Sequence, residues 1–339
     1  MGVQPGEGSV RIGALEIEPP VVLAPMSGIN DRTFRLLCRE AGAGLVYTGL
    51  ISANAVQYRS VKTEEMLRFG ADEYPVCAQV FGAEPEVVAA AAAAAAERGA
   101  AMVDINMGCS VPKVLKARAG AALMADPKRA EAMVRATVSA VSVPVGVKLR
   151  RGWRERGEDA VALARRCEGA GAAAIAVHPR WVGQRFGGSA DWSVIARVKD
   201  AVGVAVVGNG GIRSGSDAVR MVEETGCDGV MVGTGALGSP WIFGEVAAAL
   251  RAGPTPTGPT AAERVAMAAR HVDLVVADRG MKRGVLEMRK HIAWYLRGMP
   301  MARAMRAKAN RATTAEELKS LLAEAREAAH SMQVAGAAG

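Results

Sequence analysis

No run of about 18 uncharged apolar residues occurs in the chain, which argues against a transmembrane helix. The longest apolar stretch, Val87–Ala96, is two valines and eight alanines, too short and too weakly hydrophobic to span a bilayer. The first ten residues are Gly-rich, carry a Glu and lack the basic-then-apolar order of a secretory signal. Cysteine is sparse and unpatterned. Cys38, Cys77, Cys109, Cys167 and Cys227 are odd in number and have no CxxC spacing, which argues against a disulfide framework or a zinc site and for a reducing cytoplasm. A Gly-rich phosphate turn is missing after the first apolar strand, where Ala24-Pro25-Met26-Ser27-Gly28 stands instead, and this argues against a doubly wound dinucleotide fold.

What the chain does have is length and apolar content. Its 339 residues are 50% hydrophobic, enough for one large domain and a small one. Eight strand-like apolar runs recur: 21–26, 45–49, 75–81, 102–107, 144–149, 173–178, 204–208 and 229–233. Several are rich in Val and Ile with little alternation, as in strands covered on both faces. Helix signals fall between most of them. Asp31 is an N-cap candidate, Pro85 and Pro127 suit a first turn, and Gly42, Gly99 and Gly226 follow helix ends. Eight βα units over 1–250 predict a TIM (β/α)8 barrel. Residues 251–260, with three Pro and two Gly, read as a linker. Thr260 and Glu263 have capping-box spacing, and helical periodicity over 262–279, 284–297, 301–309 and 314–330 predicts a C-terminal helical bundle through 332. Residues 334–339 are expected to fray.

Net charge is +8, unevenly spread. Residues 260–339 hold 14 Lys or Arg against 8 Asp or Glu, whereas the rest of the chain holds 28 against 26. A compact basic module beside a nearly neutral one suits a polyanionic partner.

The most informative segment is 102–113, Met-Val-Asp-Ile-Asn-Met-Gly-Cys-Ser-Val-Pro-Lys. An apolar run hands over to a loop at Asn106, Gly108 and Cys109. That places a thiol at a strand's C-terminal end, where parallel barrels carry their chemistry, although free Cys is often simply core. Gly208-Asn209-Gly210-Gly211 follows the seventh run and Gly233-Thr234-Gly235 the eighth. Loops after strands seven and eight of such barrels often cradle a phosphate, because glycines let backbone N–H groups approach it. Lys148 lies within the fifth run and needs a partner if buried. Gln79 and His178 fall at mouth positions of the third and sixth.

Several stretches together resemble the tRNA-dihydrouridine synthases, in particular their bacterial B-type branch. They are LAPMSGINDRTFR (23–35), AQVFG (78–82), DINMGCSVPKV (104–114), VPVGVKLRRGW (143–153), VGNGGI (207–212), GSPWIF (238–243) and RKHIAWYL (289–296), in family order across most of the chain. The resemblance implies a cytoplasmic flavin barrel with a C-terminal helical domain, which reduces the C5=C6 bond of uridine in tRNA. It implies FMN held by Pro25, Met26, Ser27, Gln79, Lys148, Asn209, Gly210, Gly211, Gly233 and Thr234, with His178 beside them. NADPH is the expected reductant. Hydride passes from flavin to C6, and Cys109 delivers a proton to C5. Thiols ordinarily keep their proton at neutral pH, which suits a general acid. The target base must leave the RNA stack. Asn106 and Arg180 fall on the substrate side, and Arg289, Lys290 and His291 are expected to face RNA near the mouth. No protein partner is implied and a monomer is expected.

The chain also departs from that family's pattern. Gly49 stands where a Glu is usual, Ser110 follows Cys109 in place of Pro, and Val182 (beside Trp181), Thr234 and Ser239 each stand where an Arg is usual. Losing an Arg removes a bidentate donor. These changes gather around the expected mouth. They leave open a different RNA, a small ene-carbonyl or pyrimidine substrate, or an RNA-binding protein without catalysis.

Overall fold

A computed structural model describes residues 8–155, 157, 159–184 and 187–337. The chain divides into two compact units, Met1–Gly233 with Phe243–Thr255, and Thr234–Ile242 with Pro256–Gly339.

In the first unit, β1 (Val10–Ile12) and β2 (Leu15–Ile17) form an antiparallel hairpin. Gly13, at the first turn position, has φ +57°, where glycine carries no side-chain penalty. Eight parallel strands follow: β3 (Val21–Leu23), β4 (Leu45–Tyr47), β6 (Val76–Phe81), β7 (Met102–Met107), β8 (Val145–Arg150), β9 (Ala174–His178), β10 (Ala205–Asn209) and β11 (Gly229–Val232), with the two-residue β5 (Ile51–Ser52) on the outer end of β6. Each of the eight pairs with the next, β11 pairs with β3, and β4 pairs directly with β6, so the sheet closes into a TIM barrel. All eight expected runs are strands.

The interior is graded. At the amino-terminal end, Val10, Ile12 and Ile17 of the hairpin join Val22, Leu45 and Met102 in one apolar cluster. The hairpin thus plugs the barrel floor, a feature the sequence reading missed because its strands are three residues long. Toward the carboxyl ends the inward positions turn polar. Gln79 lies beside Asp104, and Asn106 beside Lys148. A floor sealed by apolar packing and a polar mouth follow from the order of residue types along each strand.

The long β4–β6 connection holds two short helices, Ala53–Gln57 and Val61–Met66, and a tight turn at Ala71–Glu73. It is anchored by a bidentate ion pair. Arg35 Nε and Nη2 donate to Glu73 at 2.7 and 2.9 Å.

The second unit contains helices Ala261–Arg279, Met281–Tyr295, Ala302–Ala309 and Ala315–Ala337, the last continuing past the expected end at 330 and through most of the segment expected to fray. The capping box is present: Thr260 Oγ1 accepts from Glu263 N, and Glu263 accepts from Thr260 N at 2.8 Å. Val272, Met288, Ile292, Leu318 and Leu322 form its core. Segment 234–242 joins this unit: Trp241 packs on the core, and a Cβ on Gly238 would lie 2.3 Å from the Trp294 backbone. Among the described residues, no helix is long and apolar enough to cross a membrane.

Candidate active site

β7 delivers the thiol loop. All six of its residues are buried, and Asp104 and Asn106, two apart, share the inward face. Beyond Met107 the chain turns through Gly108 and Cys109 into a short helix, Pro112–Lys116. The loop is tied from both sides. Asn106 Oδ1 accepts from Cys109 N at 2.9 Å and from Gly108 N at 3.3 Å. Arg150 Nε donates to Gly108 O at 2.7 Å, and Ala121 N donates to Cys109 O at 3.0 Å. Cys109 is half-buried, whereas the other four cysteines are buried.

Lys148 finds the partner its position demands: Nζ donates to Asn209 Oδ1 at 2.7 Å, while Asn209 Nδ2 donates to Met231 O at 2.8 Å. Burial pushes Lys148 down to about 8, aided by Arg150 and opposed by Asp104. Asp104 is 1% exposed, and burial pushes its carboxyl up to about 7, opposed by the Gln79 hydrogen bond, by Lys148 and by Tyr47. Gln79 bridges the pair of strands, donating to Asp104 Oδ2 at 2.7 Å and accepting from Asn106 Nδ2 at 2.8 Å.

The turn after β10 is shaped for a close approach. Gly210 and Gly211 have φ +115° and +90°, a region L-residues avoid. Trp192 Nε1 donates to Gly210 O at 2.9 Å. Burial, then Lys148, Arg150 and Arg180, push His178 down to about 2, so the ring is neutral. Its Nε2 lies 3.0 Å from Arg180 Nη1. A guanidinium only donates, so Nε2 accepts and the ring proton resides on Nδ1. Opposite, Asn30 Nδ2 donates to the Ala24 and Tyr47 carbonyls at 2.8 Å each, fixing the loop that carries Pro25, Met26 and Ser27.

The residue set fits a flavin. Cationic Lys148, Arg150 and Arg180 outnumber the carboxylate of Asp104 beside them. Glycine backbone in the turn after β10 offers N–H groups without a Cβ in the way.

Pro25, Met26, Ser27, Gln79, Asn106, Cys109, Lys148, His178, Arg180, Asn209, Gly210, Gly211 and Gly233 all belong to the first unit. Thr234, Arg289, Lys290 and His291 belong to the second. One expectation for RNA contact needs correction. His291 is 1% exposed, with its ring 4.6 Å from His271 and 5.0 Å from Trp294, because it lies on the apolar face of its helix. Arg289, partly exposed, donates to Ala312 O at 2.6 and 3.1 Å, in the loop between helices 302–309 and 315–337. Val182, where the Arg is lost, is 7% exposed and serves as wall. Three site residues went unnoticed in the sequence. Asp104 and Arg150 each lie two residues from a noticed one on the same strand, a period-2 signal that was available. Trp192 carried none.

The dihydrouridine synthase (Dus) family model matches residues 22–332. A probable tRNA-dihydrouridine synthase of Mycobacterium tuberculosis is 41% identical over 332 residues, covering 94% of this chain and 85% of that one. The tRNA-dihydrouridine synthase B of Xanthomonas axonopodis pv. citri is 38% identical over 305 residues, covering 90% and 92%. Among solved structures, a 2-naphthoyl-CoA reductase complex superposes with TM-score 0.56 at 12% identity, covering 70% of this chain and 51% of that one. Histamine dehydrogenase from Rhizobium sp. 4-9 gives TM-score 0.54 at 11% identity, covering 70% and 47%. Those two share the barrel fold. The chain belongs to the dihydrouridine synthase family.

Proposed function

We propose that this protein is an FMN-dependent tRNA-dihydrouridine synthase, reducing the C5=C6 bond of a tRNA uridine at the expense of NADPH. One observation carries the reading: Cys109 sits on a loop pinned by Asn106 and Arg150 at the end of β7, in the same barrel as the Lys148–Asn209 pair and the Gly210–Gly211 turn. When bound and reduced, FMN supplies the hydride that goes to C6 of uracil.

The chain's own residues do the rest. Backbone N–H groups of Gly210 and Gly211 receive the phosphate, with Gly233 contributing from the turn after β11. Lys148, oriented by Asn209, places a positive charge at the flavin. Gln79, His178 and the Pro25–Ser27 loop contribute the remaining contacts. Cys109 Sγ holds the proton destined for C5, and Asn106 and Arg180 meet the flipped base and its neighbours. The basic second unit grips the RNA backbone. Arg303, Arg306 and Arg311 are exposed there and take the role expected of His291, alongside Arg289 and Lys290.

The test is Cys109→Ala. The variant should keep its yellow colour and its reduction by NADPH, while dihydrouridine formation in tRNA falls about 100-fold or more, the usual worth of a general acid. Dihydrouridine formation at the parental rate would remove Cys109 from the chemistry.

A further inference from the structure

A chain of amides runs from the barrel interior to the thiol loop. Asp104 Oδ2 accepts from Gln79 Nε2 at 2.7 Å. Gln79 Oε1 accepts from Asn106 Nδ2 at 2.8 Å. Asn106 Oδ1 accepts from Cys109 N at 2.9 Å. Gln79, Asp104 and Asn106 are 0%, 1% and 5% exposed, so water offers no substitute partners at their buried ends.

The polarity of this chain has a single origin. Once ionised, above about pH 7, the Asp104 carboxylate only accepts, whereas each primary amide presents a donor on one side and an acceptor on the other. Asp104 therefore decides which end of Gln79 faces it. Gln79 in turn decides which end of Asn106 faces back, and only one choice leaves Asn106 Oδ1 toward the Cys109 N–H. If Gln79 turns over, its donor faces Asn106, Asn106 turns to meet it, and an amide donor confronts the backbone donor of Cys109.

We propose that Asp104 is a positioning residue for Cys109, fixing the thiol loop through the amide orientations of Gln79 and Asn106. The carboxylate is a costly choice for that position. Its Oδ1 accepts no hydrogen bond of normal geometry, although Tyr47 lies close enough to lower the carboxyl's pKa. A buried carboxylate is disfavoured unless its bonds are worth the desolvation. What it gains is direction: an apolar side chain would fill the same space and leave both amides free to turn. A competing role for Asp104 is its charge, which faces Lys148 on β8, Tyr47 on β4 and Cys77 on β6. The two roles separate by substitution. Asp104→Asn removes the charge but keeps an oxygen that can accept from Gln79. Asp104→Leu removes both.

The inference rests on the proposed function only in taking Cys109 as proton donor. Its readout is independent of catalysis, since Cys109 is the one cysteine that is not buried. Iodoacetamide alkylation of Cys109 in the intact holoprotein is followed by peptide mass spectrometry. Asp104→Leu should alkylate about fivefold faster, the weight of one hydrogen bond holding the loop. Asp104→Asn should stay closer to the parent than Asp104→Leu does. Gln79→Leu, which cuts the chain while leaving the carboxylate, should match Asp104→Leu and serves if that variant does not fold. For dihydrouridine formation the loss should appear in kcat, with KM for tRNA unmoved. Parental alkylation rates in Gln79→Leu, or equal acceleration in the Asn and Leu variants, would overturn the proposal. Altered alkylation in a protein that forms no dihydrouridine would keep the positioning role and discard the proposed reaction.

Discussion

Gly210 lies directly against the ring of His178: a Cβ on the glycine would sit 2.8 Å from His178 Cδ2. The same glycine has φ +115°, so two independent constraints exclude a side chain there.

Gly210→Ala therefore should strain the turn by about 1–3 kcal/mol and displace the neutral imidazole. FMN binding should weaken by about tenfold or more, read by the fraction of flavin that stays with the protein through gel filtration. Full retention would mean the turn after β10 does not hold the phosphate.

The Arg35–Glu73 pair predicts a stability effect away from the site. The two side chains are 2% and 0% exposed, and Arg35 also donates to Asn30 O at 3.1 Å and Arg68 O at 3.2 Å. Glu73→Gln leaves a buried guanidinium without its counter-charge and should cost about 3–5 kcal/mol in denaturant unfolding. The double variant Arg35→Met/Glu73→Leu should be closer to the parent, since no lone charge remains. A mild effect of Glu73→Gln alone would show that solvent reaches the pair.

His271 and His291 predict an acid sensitivity of the helical unit. Burial first, then Lys290, pushes His271 down to about 3. Burial, then His271 and Lys290, holds His291 well below the ordinary imidazole value. Unfolded imidazoles titrate near 6.5. Both histidines are lowered on folding, so the unfolded chain binds more protons below that pH. Their contribution is complete above about pH 6.5 and is lost as pH falls toward the folded values, by about 1.4 kcal/mol per pH unit for each histidine. Hydrogen exchange within 261–295 should accelerate between pH 6.5 and 5 after correction for intrinsic rates, and His291→Gln should reduce that slope. A flat profile would place the imidazoles in contact with water.

Much of the fold was legible because barrel strands are covered on both faces. Runs such as Val-Val-Leu at 21–23 and Gly-Val-Met-Val at 229–232 can only be interior. The hairpin over 10–17 was not legible, since Arg11 and Glu16 make its short strands look like loop. In the site, Cys109, Lys148 and the Gly210–Gly211 turn stood out as single residues whose type is unusual for their local pattern. The partners did not. Asp104 looked like a polar interruption in a strand, and its meaning depends on Gln79, 25 residues away across β6 and β7. His291 was misplaced because its neighbours Arg289 and Lys290 are basic, while a helix turns each successive residue by about 100° onto a different face.

The most direct measurement of the account is a single-turnover experiment: NADPH-reduced, flavin-loaded protein mixed without oxygen with an unmodified tRNA transcript. Flavin absorbance near 450 nm should return as dihydrouridine appears in the RNA, one for one. Purified protein that carries no flavin, or reduced flavin that tRNA leaves unoxidised, would contradict it.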